Sequence, residues 1–260
     1  MSAGEQFDRL LDEFRSRAAA DPNPRFAAYL HVHARRYRLL LREIAEVAAA
    51  SSRVRILDVG HSWESEAMQR LLPGAVVDTL GFEDSRFPPA EPGRHIQFDL
   101  NDAGDAATSP PAADYDLVVA AEVLEHLYTA VEKVLAFLRS QLRPGGVLII
   151  QTPNAASLFN RLVLLSGRNP FERIRETRTN PGHFREYTVD ELLALGRAAG
   201  LEPLRWTTHN YFEHRSRARR LLGAVPVPPK LREGITVRFR RPGQQPHAST
   251  GPAAGGDAAL

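Results

Sequence analysis

Residues 115–127 read YDLVVAAEVLEHL, an apolar run that leads directly into a polar turn carrying Glu122, Glu125 and His126. A helical segment follows, and residues 143–154 then read RPGGVLIIQTPN, which is a second apolar run. Two buried strands joined by a helix form a βαβ unit, and ligands of such sheets bind beyond the carboxyl ends of the strands. We therefore expect a ligand site where these two strands end.

The composition narrows the class of protein. The chain has 260 residues, of which 43% are hydrophobic and 25% charged, so it can bury one substantial core. The absence of cysteine excludes disulfides and thiolate metal sites and favours a cytoplasmic location. No apolar run approaches the roughly 18 residues of a membrane span. The net charge of +2 does not indicate a nucleic-acid partner.

Strand and helix patterns alternate on both sides of the βαβ unit. This alternation with short connections predicts an α/β fold, a doubly wound sheet with helices on both faces. Strands are predicted at 54–60, 75–82, 95–98, 117–121, 147–151, 203–208 and 235–240, and helices at 64–72, 130–142 and, after a capping box that begins at Thr188, up to Ala199.

The same pattern suggests three parts. Residues 1–50 are expected to form a helical lid or extension, with helices at 5–19 and about 25–50, which could also provide a homodimer contact. Residues 51–241 form the main domain, and 155–187 interrupt it as a substrate-side insertion. The tail at 242–260 is rich in Gly, Pro, Ala, Ser and Gln and is expected to be disordered. Four arginines of the second helix are expected to form a solvated basic face: Arg35, Arg36, Arg38 and Arg42.

An ordered set of motifs between residues 54 and 211 resembles the class I S-adenosylmethionine-dependent methyltransferases, in the branch that includes ubiquinone-type and glycan-modifying enzymes. The motifs are ILDVG at 56–60, GFEDS at 81–85, FDLN at 98–101, the two stretches quoted above, and HFREYT at 183–188. The resemblance implies a mainly parallel, Rossmann-like sheet of seven strands, the seventh antiparallel, with a lid insertion after strand five. It also implies S-adenosylmethionine as the cofactor.

Seven residues are expected to bind this cofactor. A glycine after strand one lets a ligand approach the backbone, and a carboxylate after strand two can accept both ribose hydroxyls. Asp99 would accept from the adenine amine while Leu100 packs on the ring. The full predicted set is Asp58, Gly60, Ser62, Glu83, Asp99, Leu100 and Glu122.

The first loop departs from the family pattern. The family has glycines at the second and third positions of G-x-G-x-G, where this chain has Ser62 and Glu64. Ser62 could cap the next helix through its hydroxyl. Glu64 would place a negative charge near the cofactor. We expect the intervening Trp63 to pack rather than to line the pocket.

His126 is the first candidate for the base that removes the proton of a hydroxyl acceptor, because it lies just past strand four. Glu125 and His183 are further catalytic candidates, although a structural role for His126 is an even alternative. The carboxylates Glu122 and Glu125 could also hold a divalent metal with His126, but this spacing is not a diagnostic ligand set, so no metal site is predicted.

The residues expected to contact the acceptor are Arg185, Tyr187 and Asn154. His183, Arg185 and Tyr187 alternate along an extended stretch, and alternation would place them on one side. Arg185 could bind an anionic group or form a structural ion pair, and Asn154 is expected to shape the turn below the acceptor. His209 and Tyr211 could reach the same mouth.

The leading hypothesis is an S-adenosylmethionine-dependent methyltransferase that acts on a small molecule, at oxygen, with a sugar, a quinone or a natural product as acceptor. A non-catalytic binding protein with a degraded cofactor loop is a second hypothesis. RNA methylation is a third, suggested by the basic run at 214–220 but disfavoured because strand four is not followed by an Asn-Pro-Pro-aromatic turn. A nicotinamide dehydrogenase is disfavoured because no G-x-G-x-x-G follows strand one.

Overall fold

The computed structural model describes residues 3–21, 24–84, 86–87, 91–177, 181–210 and 226–243. Its strands are β1 Val54–Val59, β2 Ala75–Gly81, β3 His95–Gln97, β4 Tyr115–Ala121, β5 Leu142–Pro153, β6 Glu202–His209 and β7 Gly234–Arg240. Its α-helices are α1 Ala3–Ala19, α2 Pro24–Ala48, α3 Trp63–Leu71, α4 Val131–Gln141, α5 Leu158–Leu165 and α6 Val189–Ala198. Short 3-10 helices lie at Leu100–Asp102, Leu124–His126 and Pro229–Leu231.

The seven strands form one sheet in the order β3-β2-β1-β4-β5-β7-β6. The first five strands run parallel, and β7 is antiparallel to both β5 and β6. The strand order reverses between β1 and β4, which is where ligands of open α/β sheets bind. The predicted fold class, with its antiparallel seventh strand, is confirmed.

Each face of the sheet is covered by a separate hydrophobic core. Along β4 the side chains alternate between the two, with Leu117 and Val119 on the face of α1, α2 and α3, and Val118 and Ala120 on the face of α4 and α6. This alternation follows from the period of two in a strand. All four side chains are fully buried.

Local signals set the bounds of α6. The Thr188 hydroxyl accepts from the Glu191 N–H, and the Glu191 carboxylate accepts from the Thr188 N–H, which completes the predicted capping box. Gly200 follows the helix with a φ of 74°, a left-handed conformation that glycine adopts without strain.

The N-terminal segment forms two helices close to the predicted bounds, but the expectation of a wholly solvated arginine face on α2 is wrong. Arg36 is 1% exposed, and its guanidinium donates to Gln151 Oε1 and lies 4.4 Å from the centre of the Tyr37 ring. The reason is its position on the inner face of α2, beside the buried Tyr37 and one turn before Leu40. A buried charge requires such partners.

The remaining structural predictions concern Trp63, the C-terminal tail, membrane spans and the division into domains. Trp63 is buried and packs between Phe14 and Phe87, with ring centroids 4.5 and 5.0 Å away, as expected. The predicted tail lies outside the described residues beyond Gly243. Among the residues that the structure describes, no helix is long and apolar enough to cross a membrane. The division into lid, main domain and insertion stays a prediction.

Candidate active site

A cavity of about 1030 Å³ lies at the carboxyl ends of the parallel strands. Its walls come from the loops after β1, β2, β3, β4 and β5, from α2, and from the segment between β5 and α6. Four predicted cofactor residues line it, Gly60, Asp99, Leu100 and Glu122, and so do the predicted site residues His126, Asn154 and His183. The sheet therefore brings most of the predicted residues to one place.

Gly60 forms the part of this wall that requires glycine. Its φ is 92°, its N–H donates to the Leu80 carbonyl at 2.9 Å, and a β-carbon at this position would lie 2.9 Å from Val123 Cγ2. The Val123 side chain in the loop after β4 therefore packs directly on the backbone of Gly60. A ligand in the cavity can contact this bare backbone directly.

The residues around Gly60 lie behind the cavity wall. Asp58 is fully buried and accepts from Ser65 Oγ at 2.5 Å, while its Oδ1 has no hydrogen-bond partner. Burial and the nearby Glu64 raise the pKa of Asp58 well above its usual value. The Ser62 hydroxyl donates to the Glu64 carboxylate, and Glu64 is itself buried. Glu64 is therefore accommodated at the start of α3 without lining the cavity, and neither Asp58 nor Ser62 is a lining residue.

The loops after β2 and β3 supply the next two predicted contacts. Asp99 lines the cavity, and its Oδ1 accepts from the N–H and the Nδ2 of Asn101. Leu100 is buried beside it. Glu83 has an exposed side chain that is not a lining residue, and its N–H donates to Gln97 Oε1 at 3.0 Å. Binding of the ribose hydroxyls by Glu83 stays a prediction.

Glu122 has a φ of 57°, and among the described residues it is the non-glycine residue with a left-handed backbone. Its N–H donates to the Gln151 carbonyl at 2.7 Å, which fixes the end of β4 against β5. A left-handed conformation costs a non-glycine residue on the order of 1 kcal/mol and is concentrated at functional sites. Here it turns the chain so that Glu122 lines the cavity.

Glu125, His126 and His183 form a cluster beside Glu122. The His126 and His183 rings meet edge to face with their centroids 4.9 Å apart. His126 Nδ1 lies 2.9 Å from the Gly182 carbonyl, and His183 Nδ1 lies 2.9 Å from Glu186 Oε1. Glu125 is fully buried; its Oε2 accepts from the Thr152 hydroxyl at 3.0 Å, and its Oε1 has no hydrogen-bond partner.

The surroundings of this cluster shift its pKa values in different directions. Burial lowers the pKa of His126, so its imidazole is neutral at pH 7. Burial, with the Glu122 charge adding to it, raises the pKa of Glu125 to about 8. Burial also opposes the charged form of His183, but the hydrogen bond with Glu186 and the charge of Glu125 outweigh it and raise the pKa of His183.

The main chain holds His183 in this cluster. The N–H groups of Phe184 and Arg185 both donate to the Glu125 carbonyl, at 2.7 and 3.4 Å. Gly182 has a φ of 84°, and a β-carbon there would lie 2.8 Å from the Arg173 carbonyl oxygen. The last part of the predicted insertion is therefore anchored on the 3-10 helix that follows β4.

The expected common side of His183, Arg185 and Tyr187 is wrong. The Arg185 guanidinium lies 5.5 Å from the centre of the Tyr187 ring and pairs with Glu191 at 2.8 Å, away from His183. Tyr187 is buried in the core with α6 and forms a bridge with Asn154, so this stretch is not a regular strand. Neither Arg185 nor Tyr187 lines the cavity.

Asn154 shapes the end of β5, as expected. Its Nδ2 donates to the carbonyls of Lys230 and Arg232, and its Oδ1 accepts from the Ala156 N–H. Asn154 is 1% exposed and still borders the cavity. It therefore joins the start of the insertion to the segment that precedes β7.

Sequence reasoning missed several lining residues. Tyr29, Val32 and His33 reach the cavity from α2, and their helical spacing of three and four was the signal that could have found them. Others come from α5, from the 3-10 helix after β3 and from loops that carried no periodic signal, among them Asn101, Tyr128, Phe159, Asn160, Glu172, Arg175, Phe184 and Glu186. His209 is not a lining residue, and Tyr211 and the basic run at 214–220 lie outside the described residues.

Comparison with known proteins places the chain in a family. Residues 11–205 match the model of the methyltransferase domain family. A protein of Mycolicibacterium smegmatis described as a "probable S-adenosylmethionine-dependent methyltransferase" is 35% identical over 109 residues, which are 42% of this chain. The match spans only 37% of that relative's length.

Solved structures share the fold at low identity. A methyltransferase of Archaeoglobus fulgidus has a TM-score of 0.52 and 14% identity, and the match covers 78% of this chain and 92% of that one. The 1,6-didemethyltoxoflavin N1-methyltransferase of Burkholderia thailandensis, solved with its acceptor and S-adenosylhomocysteine, has a TM-score of 0.51 and 17% identity over 93% and 91% of the two chains. Because the family model spans most of its length, the chain belongs to the methyltransferase domain family.

Proposed function

We propose that the protein is an S-adenosylmethionine-dependent methyltransferase that methylates an oxygen atom of a small hydroxylated acceptor. The observation that carries this proposal is the single cavity that joins a bare glycine backbone after β1 to a histidine cluster after β4. The first feature suits the cofactor, and the second suits an acceptor that must lose a proton. Both lie at the reversal of strand order, where the fold binds ligands.

The residues of the cavity fit the cofactor. Gly60 offers backbone without a side chain, Asp99 and Leu100 offer a carboxylate and an apolar surface for the adenine, and Glu122 offers a negative charge. Asp58 lies below the same turn and has a buried oxygen without a hydrogen-bond partner. Glu83 follows β2 by two residues, directly after Gly81 and Phe82, which line the cavity. The unusual Glu64 does not block the site, because it is buried against Ser62.

His126 is suited to accept the acceptor's proton. When bound, S-adenosylmethionine supplies a methyl group on a sulfonium; transfer breaks the sulfur–methyl bond, forms an oxygen–methyl bond and leaves the electron pair on sulfur. Because a carbonyl only accepts hydrogen bonds, His126 Nδ1 carries the proton that contacts Gly182. Nε2 therefore holds the lone pair that can take the hydroxyl proton.

The acceptor half of the cavity has a mixed lining. Tyr128 and Phe184 meet edge to face at 5.7 Å, and Phe159 and Pro170 add apolar surface. Polar groups come from Asn160, Glu172, Arg175 and Glu186. This combination favours an acceptor with an aromatic or otherwise apolar body and several hydroxyl groups, as in a hydroxylated aromatic compound or a glycoside.

A cytoplasmic location and a homodimer stay predictions.

The test begins with calorimetric titration of the purified protein with S-adenosylmethionine and S-adenosylhomocysteine. We expect micromolar binding, and we expect Glu83→Ala to weaken it at least tenfold. Asp102→Ala is the matched control, because Asp102 is an exposed carboxylate near the same loops that does not line the cavity. Absence of binding at millimolar ligand would overturn the proposal and leave the non-catalytic hypothesis.

A positive titration leads to an acceptor screen. Hydroxylated aromatic compounds and sugars are incubated with the protein and the cofactor, and release of S-adenosylhomocysteine is followed together with product mass. We expect turnover with a hydroxyl acceptor and none with its methyl ether. Methylation of nitrogen or carbon acceptors alone would exclude the oxygen assignment.

A further inference from the structure

We propose that Glu125, His126 and His183 form the binding site of one divalent transition-metal ion at the wall of the cavity. The three side chains each offer one ligand atom, and these atoms all lie within 4.8 Å of one another. An ion bound at roughly 2.0–2.2 Å to each ligand requires ligand atoms roughly 3–4 Å apart. Small rotations of the side chains would bring them to these separations.

Both histidines make the second hydrogen bond that is typical of metal-bound imidazoles. His126 donates through Nδ1 to the Gly182 carbonyl, and His183 donates through Nδ1 to the Glu186 carboxylate, both at 2.9 Å. Metal-bound histidines almost always donate their second ring nitrogen to a carbonyl or a carboxylate in this way. In both rings the hydrogen bond leaves Nε2 with a lone pair for an ion.

Glu125 offers a buried carboxylate oxygen to a ligand, which is an independent observation. Its side chain is fully buried, Thr152 holds one oxygen, and the other oxygen has no hydrogen-bond partner. Buried carboxylate oxygens without a partner are rare in folded proteins, because desolvating them is costly. Glu122 lies three residues earlier, at the cavity wall, and places a second carboxylate near the cluster. The unpartnered oxygen of Glu125 can therefore bind a cation.

The ligand types indicate the class of ion. Two imidazole nitrogens and one carboxylate oxygen suit Zn²⁺, Mn²⁺ and related first-row ions better than Mg²⁺ or Ca²⁺, which prefer oxygen alone. Three protein ligands leave a coordination position for an acceptor oxygen, because His126 and His183 line the cavity. The role of the ion rests on the proposed function: it would lower the pKa of the acceptor hydroxyl, whose proton would then leave to solvent, and His126 would serve as the base only in the protein without the ion.

The experiment measures metal binding by the full-length protein after treatment with EDTA. Mn²⁺ and Zn²⁺ are each titrated by calorimetry, and bound Mn²⁺ is counted by electron paramagnetic resonance. We expect one ion per chain, and at least a hundredfold loss of affinity in His183→Gln and in Glu125→Gln. Glu186→Gln, which removes only the orienting carboxylate, should weaken binding about 10- to 100-fold.

Matched measurements separate a lost site from a lost fold. His209→Gln removes a histidine that lies outside the cavity and should bind Mn²⁺ like the wild type. Each variant is also titrated with S-adenosylhomocysteine, so that retained cofactor binding proves an intact fold. Wild-type protein that binds neither ion at millimolar concentration, or ligand variants that bind as tightly as the wild type, would overturn the metal site.

The two proposals can fail separately. Binding of S-adenosylhomocysteine without binding of Mn²⁺ or Zn²⁺ overturns the metal site and leaves the proposed methyltransferase activity. Binding of one Mn²⁺ that depends on His183 and Glu125, without binding of the cofactor, supports the metal site and overturns the proposed activity.

Discussion

Gly60 and Val123 belong to the loops after β1 and β4, and a single added β-carbon on Gly60 would approach Val123 Cγ2 to 2.9 Å. Such a distance is shorter than real β-carbon contacts, so the Val123 side chain or one of the two loops would have to shift. Both loops border the cavity, and their spacing therefore sets the width of the proposed cofactor site.

We expect Gly60→Ala to weaken S-adenosylhomocysteine binding at least tenfold and to destabilise the fold by about 1–3 kcal/mol, because it adds a clash to an unfavourable φ. Gly167→Ala is the matched control, since Gly167 has a φ of 73° with nothing within 4 Å of an added β-carbon. It should cost only the strain of the φ angle, about 1 kcal/mol, and leave ligand binding unchanged. Calorimetry and urea denaturation measure both quantities. Equal ligand affinity in the two variants would contradict the role of the contact with Val123.

Glu122 is expected to destabilise the fold through its left-handed backbone while its carboxylate supports cofactor binding. Glu122→Gly relieves the left-handed strain, whereas Glu122→Ala keeps it, and both remove the carboxylate. We therefore expect Glu122→Gly to be about 1 kcal/mol more stable than Glu122→Ala in urea denaturation. Both variants should lose cofactor binding to a similar extent. A stability that does not differ between them would show that the backbone relaxes when the side chain is removed.

His33 is expected to make the protein sensitive to acid. Burial, with the nearby Arg36 charge adding to it, lowers the pKa of His33 to about 3, whereas an unfolded histidine titrates near 6.5. The stabilisation is therefore complete above pH 6.5 and is lost as the pH falls from 6.5 toward 3, because only the unfolded chain binds the proton. At pH 5 the loss from this group should be about 1–2 kcal/mol relative to pH 7.

The variant His33→Gln isolates this contribution. Its free energy of unfolding should fall less than that of the wild type between pH 7 and pH 5, by the same about 1–2 kcal/mol. Urea denaturation at the two pH values measures the difference. An identical fall in both proteins would assign the acid sensitivity to other buried groups.

We expect Gly196 to tolerate no side chain, because any side chain there would clash with the Phe239 ring. A β-carbon there would lie 2.2 Å from Phe239 Cε1, where α6 crosses β7. Gly196→Ala should destabilise the fold by about 2 kcal/mol or more, and Gly196→Ala combined with Phe239→Leu should recover part of that loss. Thermal unfolding of the three proteins tests this. A second substitution that only adds to the damage would argue against a direct clash.

The sequence predicted the sheet well because each strand is an apolar run bounded by turn residues. The run at 117–121 has no polar residue that would suit a helix surface, and the capping box after Thr188 marks a helix start without tertiary information. Residues on these regular elements and their ends, such as Gly60 and Asp99, were therefore placed correctly at the cavity.

The rest depended on tertiary contacts. His183 meets His126 only because Gly182 turns the chain and Glu125 binds its backbone, and no local pattern contains that information. The charge of Arg36 predicts a surface residue, whereas the side chain is 1% exposed. Its position beside Tyr37 and one turn before Leu40 favours the inner face of the helix. The contacts that stabilise its buried charge, with Gln151 and the Tyr37 ring, are visible only in the structure.

The 3-10 helix Leu124–His126 has a consequence for how this protein could change its substrate. Glu125 and His126 of this helix belong to the proposed reacting cluster, while the Glu125 carbonyl and the His126 ring also hold residues 182–185, which form one wall of the proposed acceptor pocket. A mutation that reshapes that wall by loosening residues 182–185 would also displace the reacting groups. In the proposed enzyme, selectivity and rate are thus mechanically linked. The link extends to α5, because Asn160 Nδ2 donates to Glu186, whose carboxylate also accepts from His183 Nδ1.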